Sequence, residues 1–170
     1  MSTKNVKKTV LAAAFGALVF AATWILVPAP LGNVNLGDSM LLLGAWALGG
    51  PLVAVACALG AALCDLLSAY AIYAPATLLI KACMVFAALG VQKLTQSLPR
   101  LLRLLLCALS AEAVMVTGYF AWECILYGAL PAAVNIPFNL IQGGICTVVA
   151  IVLYELLHRT GLLRLLNEKS

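Results

Sequence analysis

Residues 7–30 read KKTVLAAAFGALVFAATWILVPAP. Two lysines precede an uncharged apolar run from Thr9 to Val27, and Pro28-Ala29-Pro30 stops it. A bilayer core is spanned by about 20 apolar residues in a helix, so this run is long enough to cross. A basic start before an apolar run is also the form of a signal peptide, and an A-x-A-like pattern lies near Ala22. The length of the run favours a retained first helix.

The same pattern recurs outward from this stretch. The 170 residues are 65% hydrophobic and 9% charged, with a mean hydropathy of +1.10. A water-soluble domain carries about a quarter charged residues, so the solvent for most of this chain is lipid. Turn-forming residues divide it: Gly32, Asn33 and Asn35 after the prolines, Gly49-Gly50-Pro51, the connection from Tyr70 to Ala74, a polar linker from Gln92 to Arg100, and Gly128 to Ala133. Helices are expected at about 9–27, 37–48, 51–69, 75–91, 101–127 and 135–158. This is an all-α polytopic membrane protein of six transmembrane helices in a single domain over residues 1–170. The second helix is short for a span and is expected to tilt, or to cover a cavity with its loop.

The basic residues give the topology. Lys4, Lys7 and Lys8 precede helix 1, Lys93, Arg100 and Arg103 flank the linker between helices 4 and 5, and Arg159, Arg164 and Lys169 follow helix 6. With six spans these three groups share one side, nine of the ten Lys and Arg residues. Positive residues concentrate in cytoplasmic segments, so both termini are expected in the cytoplasm and the net charge of +4 is no sign of nucleic-acid binding. Five or seven spans would spoil this sorting.

Several function classes lose support. No G-x-x-x-x-G-K-[ST] loop is present to hold nucleotide phosphates. The six cysteines, Cys57, Cys64, Cys83, Cys107, Cys124 and Cys146, form no C-x-x-C pair and read as small apolar residues. Neither a metal nor a cofactor is expected. Asp38, Asp65, Glu112 and Glu123 show no paired catalytic spacing. The one histidine, His158, lies at the cytoplasmic end of helix 6, where a helix C-terminus favours a cation. An enzyme is therefore not expected.

A charge inside the hydrocarbon needs a partner or a task. At 1.5 Å per residue, Asp38, Asp65, Lys81, Glu123, Asn135, Asn139 and Gln142 fall in the outer half of the bundle, and Glu112 near its middle. Asn135, Asn139 and Gln142 share one helical stripe, as do Tyr73, Thr77 and Lys81. Tyr119 and Trp122 lie at the same outer depth beside Glu123. Convergent polar groups with aromatic rings suit an outward-opening pocket for a small, flat, polar heterocycle. Asp65 and Lys81 also fit a structural ion pair, and the two readings are compatible. Trp24 and Tyr127 are assigned to the aromatic belt at the membrane interface. In helix 1, Ala13, Ala17 and Ala21 recur every four residues, a row that allows close helix approach in lipid. Either internal packing or a docking face for another membrane subunit explains it.

These residues resemble a known family. The small-residue helix 1, the Pro-rich loop, Asn35-Leu36-Gly37-Asp38, Gly49-Gly50-Pro51, Asp65, the run Tyr73-Ala74-Pro75-Ala76-Thr77-Leu78-Leu79-Ile80-Lys81, and Asn135-Ile136-Pro137-Phe138-Asn139 with Gln142-Gly143-Gly144 are similar to substrate-binding S components of energy-coupling factor (ECF) vitamin transporters. The likeness covers almost the whole chain, and is nearest the riboflavin-type or hydroxymethylpyrimidine/pyridoxine-type branch. Where that family usually has Gly after the Lys of the fourth helix, this chain has Ala82.

The resemblance implies a multi-pass protein of a prokaryotic plasma membrane that captures a vitamin or vitamin precursor from outside. It implies partners, a transmembrane T component and two ATPase subunits, for ATP-driven uptake. It assigns Ala13, Ala17 and Ala21 to the T-component face and about Pro28 to Leu36 to a lid. The candidate substrate-binding residues are Asn35, Asp38, Tyr73, Thr77, Lys81, Tyr119, Trp122, Glu123, Asn139 and Gln142. A self-sufficient small-solute transporter or channel is the competing reading. Many such transporters carry an internal repeat, and none is visible between residues 1–85 and 86–170.

Overall fold

The structure, a computed structural model, describes residues 3–29 and 32–163. Pro30 and Leu31 of the expected lid, and the basic residues Arg164 and Lys169, lie outside the described residues. Six α-helices are present among them: α1 (Thr3–Thr23), α2 (Gly37–Ala47), α3 (Pro51–Leu67), α4 (Ala74–Leu94), α5 (Arg100–Tyr127) and α6 (Ala129–Arg159). A 3-10 turn, Ala71–Tyr73, leads into α4. Two short strands, β1 (Leu26–Ala29) and β2 (Gly32–Asn35), form an antiparallel hairpin between α1 and α2.

The hairpin corrects the expected end of helix 1. The helix stops at Thr23 rather than Val27, and Leu26 pairs with Asn35 while Ala29 pairs with Gly32. Pro28 disfavours helical geometry at Val27, so the apolar run ends as a strand although its hydropathy does not change. Helix 6 also begins earlier than expected, at Ala129. Pro131 falls in its first turn, where a missing N–H costs nothing. Pro137 lies inside the helix and denies a donor to the carbonyl of Ala133, four residues back.

The turn between α2 and α3 uses two glycines at positive φ, Gly49 (61°) and Gly50 (86°), a backbone region that side chains with a Cβ rarely enter. Pro51 then opens α3 with its φ already helical.

The short α2 is the central helix. Ten of its eleven residues are buried, and it touches α1, α3, α4, α5 and α6. Its length therefore reflects an interior position with protein on every side. The outer helices show the reverse pattern. On α3, Leu52, Val55, Leu59, Leu63 and Leu66 are exposed at three- and four-residue spacing, an apolar stripe suited to lipid. Among the described residues, four segments are long and apolar enough to cross a membrane: Asn5–Thr23, Ala71–Leu94, Arg100–Tyr127 and Ala129–Arg159. The 17 residues of α3 reach about 25 Å, a little short of the hydrocarbon core.

Helices α1 and α3 meet backbone to backbone. A Cβ on Gly60 would collide with the carbonyl of Gly16, and one on Gly16 with the carbonyl of Ala56. With no hydrophobic force between helices in lipid, such close packing is the source of cohesion. Gly60→Val should force the pair apart, costing on the order of 1–3 kcal/mol and lowering the melting temperature in detergent. Gly144→Ala, where nothing lies within 4 Å, should leave it unchanged.

Candidate functional site

A cavity of about 310 Å³ opens at the hairpin end of the bundle. Thr23 and Trp24 reach it from the end of α1, Asn35 from the hairpin, and Cys64, Asp65 and Ser68 from the end of α3. Tyr70 and Tyr73 line it from the 3-10 turn before α4, Thr77 from α4 itself, and Tyr119 and Glu123 from α5. Asn135, Phe138, Asn139 and Gln142 form the α6 wall. Spacings of three and four residues put these last four on one face of the helix. None of these lining residues is Lys, Arg or His.

Beneath the cavity lies a polar chain that joins four elements. Lys81 Nζ of α4 donates to Asp38 Oδ1 of α2 at 2.5 Å. The other carboxylate oxygen, Oδ2, accepts from Gln142 Nε2 of α6 at 2.9 Å. Gln142 Oε1 in turn accepts from the backbone N and the side-chain Nδ2 of Asn35, both at 3.2 Å. Asn35 Oδ1 accepts from Gly37 N, and its carbonyl accepts from Cys146 Sγ. A buried polar group is tolerated when its partners are present, and here every member of the chain has one.

This network corrects the expected pairing of Lys81 with Asp65: Lys81 is bonded to Asp38, and Asp65 lines the cavity instead. Asp38 and Lys81 do not line the cavity. Lys81 lies under the ring of Tyr119, with Nζ 5.3 Å from the centroid, so Tyr119 separates it from the open space. Trp122 is also off the cavity, half-buried against the core. Tyr119 and Glu123 share a helical face at i, i+4, and Trp122 is turned about 100° from its neighbour Glu123. The other expected residues, Asn35, Tyr73, Thr77, Tyr119, Glu123, Asn139 and Gln142, are brought together.

Within the cavity the polar groups are partly committed. Glu123 Oε1 accepts from Asn135 Nδ2 at 2.8 Å and from the Tyr73 hydroxyl at 3.4 Å. Thr77 Oγ1 and the Tyr119 hydroxyl are 3.0 Å apart. The Tyr73 and Tyr119 rings tilt against each other with centroids 6.4 Å apart. Glu123 Oε2 and Asp65 Oδ2 are buried without a hydrogen-bond partner. No cluster of three His, Cys, Asp or Glu residues fit to hold a metal ion occurs among the described residues.

Residues 3–159 match the family model described as "ECF-type riboflavin transporter, S component". The chain belongs to that family. It is thus an S component of the ECF transporter type, a multi-pass membrane protein and not an enzyme. No curated protein matches the sequence. A solved structure described as "Structure and mechanism of the S component of a bacterial ECF transporter" is 22% identical. The similarity covers 92% of this S component and 98% of that chain, at a TM-score of 0.69, and so extends to the six-helix fold.

Trp24, assigned from sequence to the interface belt, is part of the cavity of this S component because α1 ends one residue before it. Phe138 was legible on the stripe that runs through Asn135, Asn139 and Gln142. Thr23, Cys64, Ser68 and Tyr70 carry no comparable signal, since they enter only through the geometry of helix ends.

Removing one partner of a buried ion pair strands the other, at roughly 3–5 kcal/mol. Lys81→Met should therefore lower the melting temperature of this S component sharply. Adding Asp38→Asn should restore part of the loss, and adding Asp65→Asn should not.

Proposed function

We propose that this S component captures a small vitamin or vitamin precursor in the cavity beneath the hairpin and delivers it for ATP-driven uptake. The observation that carries this reading is the cavity itself, walled by aromatic rings and amides at one end of a lipid-facing bundle. The family description names riboflavin, which makes a flat heterocycle the first class to test. A hairpin fastened to α6 through Asn35 and Gln142 suits a lid that holds the ligand. Identification of a small molecule retained on the protein purified in detergent tests this function. A protein that retains none, and binds no vitamin added to it, would contradict it.

Orientation follows from charge. Lys93 ends α4, Arg100 opens α5 and Arg159 closes α6, all at the end opposite the cavity. Positive residues mark the cytoplasmic face, so the cavity opens outward from the plasma membrane. Arg100 is held there by Glu155, with Nε–Oε1 at 2.8 Å and Nη2–Oε2 at 2.9 Å. In a cysteine-free background, a cysteine at Ile72 should react with an impermeant reagent added to intact cells, and one at Ser97 should react only after lysis. The reverse pattern would invert the topology.

The partners proposed are a transmembrane T component and two ATPase subunits. Ala13, Ala17 and Ala21 are exposed on α1, while Ala12, Phe15, Gly16, Val19 and Ala22 face inward. The alanine row is thus available to a neighbour and is not used in packing the bundle. One large side chain on such a row keeps a second helix away. Ala17→Trp should leave ligand binding by the isolated subunit unchanged, and should abolish both uptake in cells and co-purification with a T component. Retained uptake would remove α1 as the docking face.

A further inference from the structure

Several hydrogen-bond donors of the cavity are already spent inside the protein, and the Asn139 amide is not among them. The Asn135 amide and the Tyr73 hydroxyl both give to Glu123 Oε1. The Gln142 amide gives to Asp38, and Ser68 Oγ gives to the Asp65 carbonyl. The Thr77 and Tyr119 hydroxyls share one hydrogen bond, which spends one of their O–H donors. Acceptors remain. Glu123 is 5% exposed, lines the cavity, and has an oxygen, Oε2, with no partner. Asp65, on α3, is half-buried, and its Oδ2 also has no partner. A buried carboxylate oxygen without a donor is costly, and native proteins seldom leave one unanswered.

Charge points the same way. Two carboxylates line the cavity, and no lining residue is basic. Among the described residues, the nearby cation Lys81 is paired with Asp38 and lies against the Tyr119 ring. Trp24, Tyr73, Tyr119 and Phe138 add aromatic rings, whose faces attract cations. An anionic ligand would meet two carboxylates and no basic residue in the lining.

We propose that the ligand is a flat heterocycle carrying an amino or cationic nitrogen edge and no phosphate, with that edge donating to Glu123 Oε2 and Asp65 Oδ2. This rests on the capture function above and narrows it to a class of substrate. The carboxylates select by supplying acceptors, and the rings hold the plane of the heterocycle.

The test uses the full chain in detergent and pairs of probes that differ in one group. Pyridoxamine is set against pyridoxine, and 4-amino-5-hydroxymethyl-2-methylpyrimidine against its 4-oxo analogue; each amine is also set against its phosphate ester. Riboflavin is included as a heterocycle without an amino group. Binding is read by titration calorimetry, and any molecule extracted from the purified protein is identified by mass spectrometry. A charge-assisted hydrogen bond in a buried site is worth about tenfold or more in affinity. An amine should therefore bind about tenfold tighter than its partner and its phosphate ester, and an extracted ligand should carry an amino or cationic nitrogen. Glu123→Gln keeps an oxygen for Asn135 and Tyr73 and replaces the free one with a donor. It should erase the preference without lowering the melting temperature, and Asp65→Asn should weaken it in the same direction. Equal or tighter binding of the oxo, hydroxyl or phosphate forms, or of riboflavin over every amine, would overturn the proposal while leaving capture intact. Absence of binding by every probe together with an empty extract would defeat the capture function, and this inference with it.

Discussion

The ion pair between Lys81 and Asp38 is the constraint around which this protein is arranged. A lone ammonium or carboxylate at this depth would be expensive, so each depends on the other being present. Asp38 sits at the start of the central α2 and Lys81 two turns into α4. Gln142 extends the pair to α6, and Asn35 extends it to the hairpin. Four elements that are distant in sequence are thereby set in register just below the cavity. The floor of the cavity is fixed by polar bonds of definite geometry, which apolar packing alone would not supply.

Around this fixed point the bundle is assembled by two kinds of contact. Central α2 is enclosed by side chains such as Leu41, Leu42 and Trp46. At the periphery, α1 and α3 approach through Gly16 and Gly60 with no side chain between them. The apolar residues left over, including Leu59, Leu63, Leu79 and Val148, face outward. In water they would be a liability; in lipid they are the surface the solvent requires.

Much of this was legible in the sequence because breakers and charges are local signals. Gly49-Gly50-Pro51 and the polar linker from Gln92 to Arg100 mark helix ends wherever the helices go, and the sorting of Lys and Arg needs only a count of spans. The polar stripes on α4 and α6 were legible for the same reason, since 3.6 residues per turn fixes which residues share a face. Which faces meet is a different matter. Asp65 and Asp38 both lay at suitable depths for Lys81, and only the interior position of α2 decides between them. The hairpin was hidden because Leu26 and Val27 are as apolar as the helix before them. Trp122 was placed in the pocket by depth alone, when its rotation about α5 turns it toward the core.

The glycine contact between α1 and α3 has a mechanical consequence. Two helices touching through backbone atoms have no side-chain cushion that can deform, so neither can slide or rock without moving the other. The exposed alanine face is on α1, and α3 ends in Cys64, Asp65 and Ser68 at the cavity wall. Helices α1 and α3 therefore move as one unit, which ties the exposed alanine face to the helix that carries Cys64 and Asp65.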